Sequence, residues 1–214
     1  MVERTILHFI KGDNSFNISE YNSLFDKIQK SKITDDLVKI ANDYNINLEN
    51  TKYPRLEIDI SESEIKELID TGIITLNKDD DLLSFNQDEL SPIAKLLFAL
   101  AWKKGDLQKL KLIIQGIKDV KKPKEDIEKG VVFYCFGNHL GNKTKYPIID
   151  QHVIRAFNLK NNSNYDSVRK SNNVNQSDRQ NYLKWIWEFE NDNADFLYYL
   201  DRILFEIGKA VKLQ

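Results

Sequence analysis

Residues 194–211 read ADFLYYLDRILFEIGKAV and carry the clearest periodicity in the chain. Their apolar residues recur at the three- and four-residue spacing of one helix face, at positions 196, 197, 200, 203, 204, 207 and 211. The segment just before them, residues 180–190, combines tryptophan with aliphatic residues and predicts another helix. The end of the chain is therefore predicted to be helical.

The pair Ser91-Pro92 predicts a helix start farther upstream, because serine suits the N-cap and proline the first helical position. We expect this helix to bury one face, which consists of Ile93, Leu96, Leu97, Leu100 and Ala101. The next helix is predicted over residues 107–116, with Gly116 as its terminator.

The N-terminal part of the chain mixes predicted helices and strands. Three helices are predicted there, over residues 17–30, 34–44 and 62–71. The third begins with Ser61 and Glu64, whose spacing is typical of a capping box. Alternating aliphatic residues predict a strand over 52–60, and two apolar runs around a polar turn predict a hairpin over 72–85.

Two segments have less regular patterns. Residues 158–179 are rich in asparagine, serine and charge and predict a long loop, whereas residues 3–10 fit either a strand or a short helix. Together the patterns predict a mainly α protein. We expect a small mixed α/β N-terminal lobe over residues 1–90 and a helical domain over residues 91–214.

Composition excludes several classes of protein. With 41% hydrophobic residues in 214, the chain can bury a sizeable core, so disorder is excluded. The single cysteine excludes a disulfide framework and four-cysteine metal sites. No long apolar run or signal-peptide pattern occurs, so we expect a cytoplasmic protein without a membrane partner. Nucleotide-binding glycine motifs and metal-ligand spacings are also missing, and neither a cofactor nor a metal is expected.

The net charge of −2 conceals an uneven distribution. Residues 103–160 contain 13 lysines and arginines but six acidic residues, which gives this segment a charge of +7. A basic middle in an acidic frame indicates an anion-binding face. Solvated helix faces and a lysine-rich loop would produce the same composition, so both interpretations stay open.

The segment Tyr146-Pro-Ile-Ile-Asp-Gln-His-Val-Ile-Arg-Ala-Phe157 contains the best candidate site. Asp150 follows two aliphatic residues and precedes a predicted helix start, where a carboxylate can bind free backbone N–H groups. A carboxylate close to His152 is a candidate for catalysis. The alternative is an N-cap aspartate beside a core histidine.

Pro147-Ile-Ile-Asp-Gln-His-Val-Ile-Arg155 resembles the V-D-x-H-x-x-R/H segment of helix-hairpin-helix DNA glycosylases. The likeness is closest to the 8-oxoguanine glycosylase branch and its compact bacterial OGG-fold relatives. Two weaker similarities lie at Trp102…Gly105-Asp106-Leu107 and over residues 199–209. The resemblance covers residues 90–214 and implies an OGG-like helical domain.

In that family the aspartate is the catalytic carboxylate and the following histidine lines the base pocket, which implies these roles for Asp150 and His152. The lysine nucleophile of the bifunctional members lies upstream at the start of an apolar helix, as does Lys129, 21 residues before Asp150. Phe133 and Phe205 are predicted to stack an extruded base.

A lysine nucleophile must lose its proton, which burial favours, so we expect Lys129 to be buried near Asp150. An exposed lysine at a helix start is the alternative interpretation. The family hairpin usually reads L-P-G-V-G-x-K, whereas residues 121–129 read KKPKEDIEK without the glycines. Side-chain charge is therefore predicted to bind the nucleic-acid backbone, through Lys121, Lys122, Lys124 and Arg155.

The leading functional prediction is a DNA N-glycosylase with lyase activity that excises a modified purine by means of Lys129 and Asp150. A second hypothesis is a non-catalytic module that binds nucleic acid or a modified nucleobase, which the resemblance connects with bacterial antiphage defence. A third is a protein-interaction component whose acidic N-terminal lobe docks a protein partner. The expected partner is DNA, another nucleic acid or a modified nucleobase.

Overall fold

The computed structural model describes residues 10–11, 15–49, 55–76, 83–127, 129–160, 164–191 and 193–212. Most of these residues are helical, which confirms the predicted mainly α class. The chain divides into two compact units. Unit 1 comprises Met1–Leu56 and Pro147–Gln214, and unit 2 comprises Glu57–Tyr146. These limits differ from the division expected near residue 90, because the first helices pack with the C-terminal ones.

Unit 1 contains six described α-helices and a short hairpin. The helices are α1 (Ile18–Gln29), α2 (Thr34–Asp43), α7 (Gln151–Lys160), α8 (Tyr165–Lys170), α9 (Gln176–Trp187) and α10 (Ala194–Ala210). The hairpin pairs β1 (Ile10–Lys11) with β2 (Ser15–Phe16) antiparallel, with Ile10 opposite Phe16. The predicted helices over residues 17–30, 34–44 and 194–211 are thus confirmed.

Helix α10 is the centre of unit 1 and packs against α7 and α2. Its apolar stripe is buried, as the periodicity predicts. Gly208 lets the backbones of α10 and α7 approach closely, because a Cβ there would overlap the carbonyl oxygen of His152. The Tyr21 hydroxyl donates a hydrogen bond to the carbonyl of Ala156 and so connects α1 with α7.

The prediction of a loop over residues 158–179 is wrong in part. Helix α8 forms within it, and α9 begins at Gln176 rather than near residue 180. Asn164 and Asn175 explain the difference, because their side chains accept backbone N–H groups as N-caps. Asparagine is favoured at helix caps as well as in loops, so composition alone could not separate the two structures.

Unit 2 contains four described α-helices and one hairpin. The helices are α3 (Glu62–Asp70), α4 (Pro92–Lys104), α5 (Leu110–Lys118) and α6 (Val131–Gly141). The hairpin pairs β3 (Ile74–Leu76) with β4 (Leu83–Phe85) antiparallel, with Ile74 opposite Phe85. The capping box of Ser61 and Glu64 and the pairing of the two hairpin strands are confirmed, and the predicted turn over residues 77–82 lies outside the described residues.

Helices α5 and α6 form the tightest pair in unit 2. Gly116 and Gly137 face each other between them, and a Cβ on either would overlap the backbone of the other helix. Gly116 therefore lies inside α5 and permits the close approach of α6. Because α5 continues to Lys118, the prediction that Gly116 terminates the helix is wrong.

Two further predictions for this region are also wrong. Residues 55–60 have no regular secondary structure, while residues 52–54 of the predicted strand lie outside the described residues. Helix α4 begins at Pro92 with the Ser91 cap as predicted, but the face expected to be buried is exposed. Most of residues 3–10 also lie outside the described part of the chain.

Candidate functional site

Asp150 lies at the start of α7 and caps this helix. Its Oδ1 accepts hydrogen bonds from the backbone N–H groups of His152 (2.7 Å) and Val153 (2.8 Å). Its Oδ2 makes no hydrogen bond with any residue of the described ranges, and the side chain is half-buried. The cap thus fixes the carboxylate and leaves one oxygen for another group.

A second carboxyl group lies close to the first, on α10. Asp201 is only 7% exposed. Its Oδ2 accepts a hydrogen bond from the backbone N–H of Ile148 (2.7 Å), and its Oδ1 accepts one from the Tyr182 hydroxyl (2.9 Å). Since Ile148 precedes Asp150 by two residues, Asp201 anchors the segment that leads into the cap.

The buried surroundings of Asp201 change its protonation. The pKa of Asp201 is raised to about 8, chiefly by burial and to a smaller extent by the nearby charge of Asp150, and its two hydrogen bonds oppose this rise. Asp201 therefore carries a proton at pH 7. Burial likewise raises the pKa of Tyr182 well above its ordinary value, so this hydroxyl stays neutral.

Sequence reasoning missed Asp201. The available signal was its position on the apolar stripe of α10, four residues after Leu197 and three before Leu204. An acidic residue on a buried helix face must be protonated, paired or hydrogen-bonded, which makes it a candidate for a perturbed site.

His152 and Phe205, two of the residues predicted for a base pocket, lie in contact. Their rings pack edge to face with centroids 5.1 Å apart. Burial lowers the pKa of His152, and the neighbouring Arg155 adds to this effect, while Asp150 opposes it. Arg155 Nη1 lies 2.8 Å from Nδ1 of His152. A guanidinium can only donate, so Nδ1 accepts and the neutral ring carries its proton on Nε2.

Arg155 has a structural position that the sequence did not predict. Its side chain is 1% exposed, and Nη1 also donates to the Gly208 carbonyl (2.8 Å). Its Nη2 donates to the Ser171 carbonyl (2.6 Å) and to Asn172 Oδ1 (3.2 Å). The predicted contact of Arg155 with a nucleic-acid backbone is therefore corrected, since the guanidinium is buried and connects α7, α10 and the segment after α8.

The remaining predicted site residues belong to unit 2. Lys129 is exposed directly before Gly130, which adopts a left-handed conformation (φ 71°) at the start of α6. The burial expected for this amine is not found, and the assignment of Lys129 as a nucleophile stays a prediction. Phe133 is half-buried, and the Lys109 Nζ lies 4.9 Å from its ring centroid.

The three lysines of the predicted backbone-binding segment are exposed: Lys121, Lys122 and Lys124. Lys121 forms a surface ion pair with Glu62 (3.2 Å). Such exposure is compatible with both interpretations of the basic segment, because solvated charges and phosphate-binding charges look alike without a ligand.

A small polar cleft opens beside α7. Its volume is about 180 Å³, and its lining includes Gln151, Arg155, Asn158, Ser171 and Asp178. Asn158 Nδ2 donates to Asp178 Oδ1 (2.7 Å), which orients both groups at the cleft wall. The amides and the carboxyl group of this lining suit a small polar ligand with donors and acceptors.

In the described part of the chain, no group of three or more histidine, cysteine or acidic side chains is arranged to hold a metal ion. Nor does a helix among the described residues have the length and apolar character needed to cross a membrane. Neither a family model nor a curated protein nor a solved structure matches this chain.

Proposed function

We propose that this chain is an N-glycosylase that removes a modified purine from DNA, with Asp150 as its catalytic carboxylate. The main support is the state of that carboxylate: one oxygen is held by two backbone N–H groups, and the other has no partner among the described residues. The resemblance of residues 147–155 to DNA glycosylases suggests the substrate class.

The reaction breaks the bond between the sugar C1′ and the base nitrogen. Positive charge develops on the sugar as the base departs, and a fixed carboxylate stabilises that charge more than it stabilises the neutral substrate. A water molecule then adds its oxygen to C1′. The proton that this water releases passes by way of the carboxylate to the departing base, so the overall reaction is a hydrolysis.

The surroundings of Asp150 support this role. Protonated Asp201 holds Ile148 and Tyr182 without placing a second negative charge beside the catalytic carboxylate. Neutral His152 and the ring of Phe205 offer an aromatic surface next to it. An extruded base is typically stacked against such rings and read through hydrogen bonds.

The decisive variant is Asp150→Asn, since asparagine caps helices as well as aspartate but carries no charge. We expect this variant to keep its fold, and we expect its rate of base release to fall by at least about 100-fold. The assay measures free base by mass spectrometry, from duplex oligonucleotides that contain 8-oxoguanine or other modified purines. The matched control is Asp195→Asn, an exposed aspartate in the first turn of α10.

Base release that is unchanged in Asp150→Asn would refute the catalytic role of Asp150. Failure of the wild-type protein to release any base from the panel would refute the enzymatic proposal. Borohydride trapping on abasic-site DNA separately tests lyase chemistry, because reduction makes an imine between Lys129 and C1′ permanent. An adduct that disappears in Lys129→Gln would assign the nucleophile.

The polar cleft favours a second candidate function, a module that binds a modified nucleobase without cleaving it. Amide and carboxyl groups can match the edge of a base, and Gln151, Asn158 and Asp178 place such groups at the cleft. Calorimetric titration with free bases and nucleosides tests this. Binding that Asp150→Asn leaves unchanged, without base release, would favour the module over the enzyme.

A further inference from the structure

Helix α4 exposes an apolar face that none of the described residues of unit 2 covers. Four large side chains form this α4 face: Ile93 (64% exposed), Leu96 (69%), Leu97 (60%) and Leu100 (54%). Single exposed apolar residues are ordinary, but a contiguous group on one helix marks an interaction surface. Phe98, on another side of α4, packs edge to face on Phe85 of unit 2.

The α4 face has a symmetric spacing. Its members lie at positions i, i+3, i+4 and i+7, so the midpoint falls between Leu96 and Leu97. A second α4 laid antiparallel about that midpoint would oppose Ile93 with Leu100 and Leu96 with Leu97. Self-complementarity of this kind is what a two-fold symmetric interface requires.

Charges at the two ends of α4 favour the same arrangement. Exposed Asp88 and Glu89 precede the helix, whereas exposed Lys103 and Lys104 end it. An antiparallel pair places the acidic end of each copy beside the basic end of the other. A parallel pair would place like charges together at both ends, which disfavours that association.

We propose that two copies of this chain associate through the α4 face, with the two helices antiparallel about a two-fold axis. The apolar residues supply the buried centre, and the acidic and basic ends supply a rim that selects the orientation. A single helix pair buries less than about 1,200 Å² in total, so we expect weak association with a dissociation constant on the order of 1–100 µM. This inference is independent of the proposed function.

Sedimentation equilibrium of the full chain over a range of concentrations tests the proposal. The wild-type protein should change from monomer to dimer as its concentration rises through the micromolar range. Leu96→Glu with Leu100→Glu should weaken the dimer at least about tenfold, since charge is then buried at its centre. Both positions are exposed in one copy, so the helical circular dichroism of the variant should match that of the wild type.

Charge reversal tests the orientation of the two helices. Lys103→Glu with Lys104→Glu should weaken association, and so should Asp88→Lys with Glu89→Lys. A chain that carries all four substitutions should regain it, because acidic and basic ends again meet. These effects should shrink at high ionic strength.

Three results would overturn the proposal. The first is a wild-type protein that stays monomeric up to several hundred micromolar. The second is a dimer that is indifferent to the two leucine substitutions. The third is a monomer that binds vesicles of phosphatidylserine and phosphatidylcholine and loses this binding when Leu96 and Leu100 are replaced by glutamate. That result would make the α4 face a lipid-binding surface instead.

Discussion

Replacement of Asp201 by asparagine should make unit 1 more stable at neutral pH. The folded protein favours the protonated form of this carboxyl group, because its pKa there is about 8 and the ordinary value is 3.8. Asp201 therefore contributes most stability below pH 4, and this contribution is lost as the pH rises toward 8. Asparagine resembles the protonated acid in shape and stays neutral at every pH.

The pH dependence gives the size of the effect. One unit of pKa difference corresponds to about 1.4 kcal/mol, so wild-type Asp201 should lose about 3 kcal/mol of stability between pH 5 and pH 7. The unfolding free energy of Asp201→Asn relative to wild type should rise by that amount over the same interval. Urea unfolding at pH 5, 6 and 7 measures it, and the buried Trp185 reports on unit 1 by fluorescence.

The control is Asp195→Asn, which removes an exposed carboxylate from the same helix together with its ion pair to Arg55. It should change the unfolding free energy by less than about 1 kcal/mol at each pH. A difference between Asp201→Asn and wild type that is identical at pH 5 and pH 7 would refute the inference that Asp201 is protonated in the folded protein.

Three further predictions concern packing. Gly208→Ala should destabilise unit 1 by at least about 2 kcal/mol, because its Cβ overlaps the α7 backbone, and exposed Lys209→Ala serves as the nearly neutral control in urea unfolding. Arg155→Lys should destabilise the protein by about 2–4 kcal/mol in the same assay, since one ammonium cannot reach all the partners of the guanidinium. An unchanged midpoint of urea unfolding would contradict this prediction. Gly116→Ala should lower the melting temperature of unit 2 by several degrees, whereas Lys118→Ala, on the exposed side of α5, should leave it nearly unchanged.

Local signals in the sequence were sufficient to predict most helices. The cap and proline at Ser91-Pro92, the capping box at Ser61 and the stripe of α10 act within a few residues, and each is found where it was predicted. The signal at Asp150 was also local, because a carboxylate at a helix start binds the next backbone N–H groups.

Other features could not be predicted, because they depend on residues far apart in the chain. Gly116 is recognisable as a packing residue only once Gly137 faces it, and its sequence context is equally typical of a helix end. The exposed α4 face has the same pattern as a buried helix face, since periodicity shows that residues share a face but not what covers it.

The sequence by itself determined the helical class, most helix boundaries and the identity of the capping carboxylate, because capping and periodicity are short-range. Only the tertiary structure decided that Asp201 on α10 binds the segment before Asp150, that Arg155 is internal, and that Lys129 lies exposed in the other unit. Protonation and burial depend on the whole surroundings of a side chain, and those surroundings are assembled by contacts between distant segments.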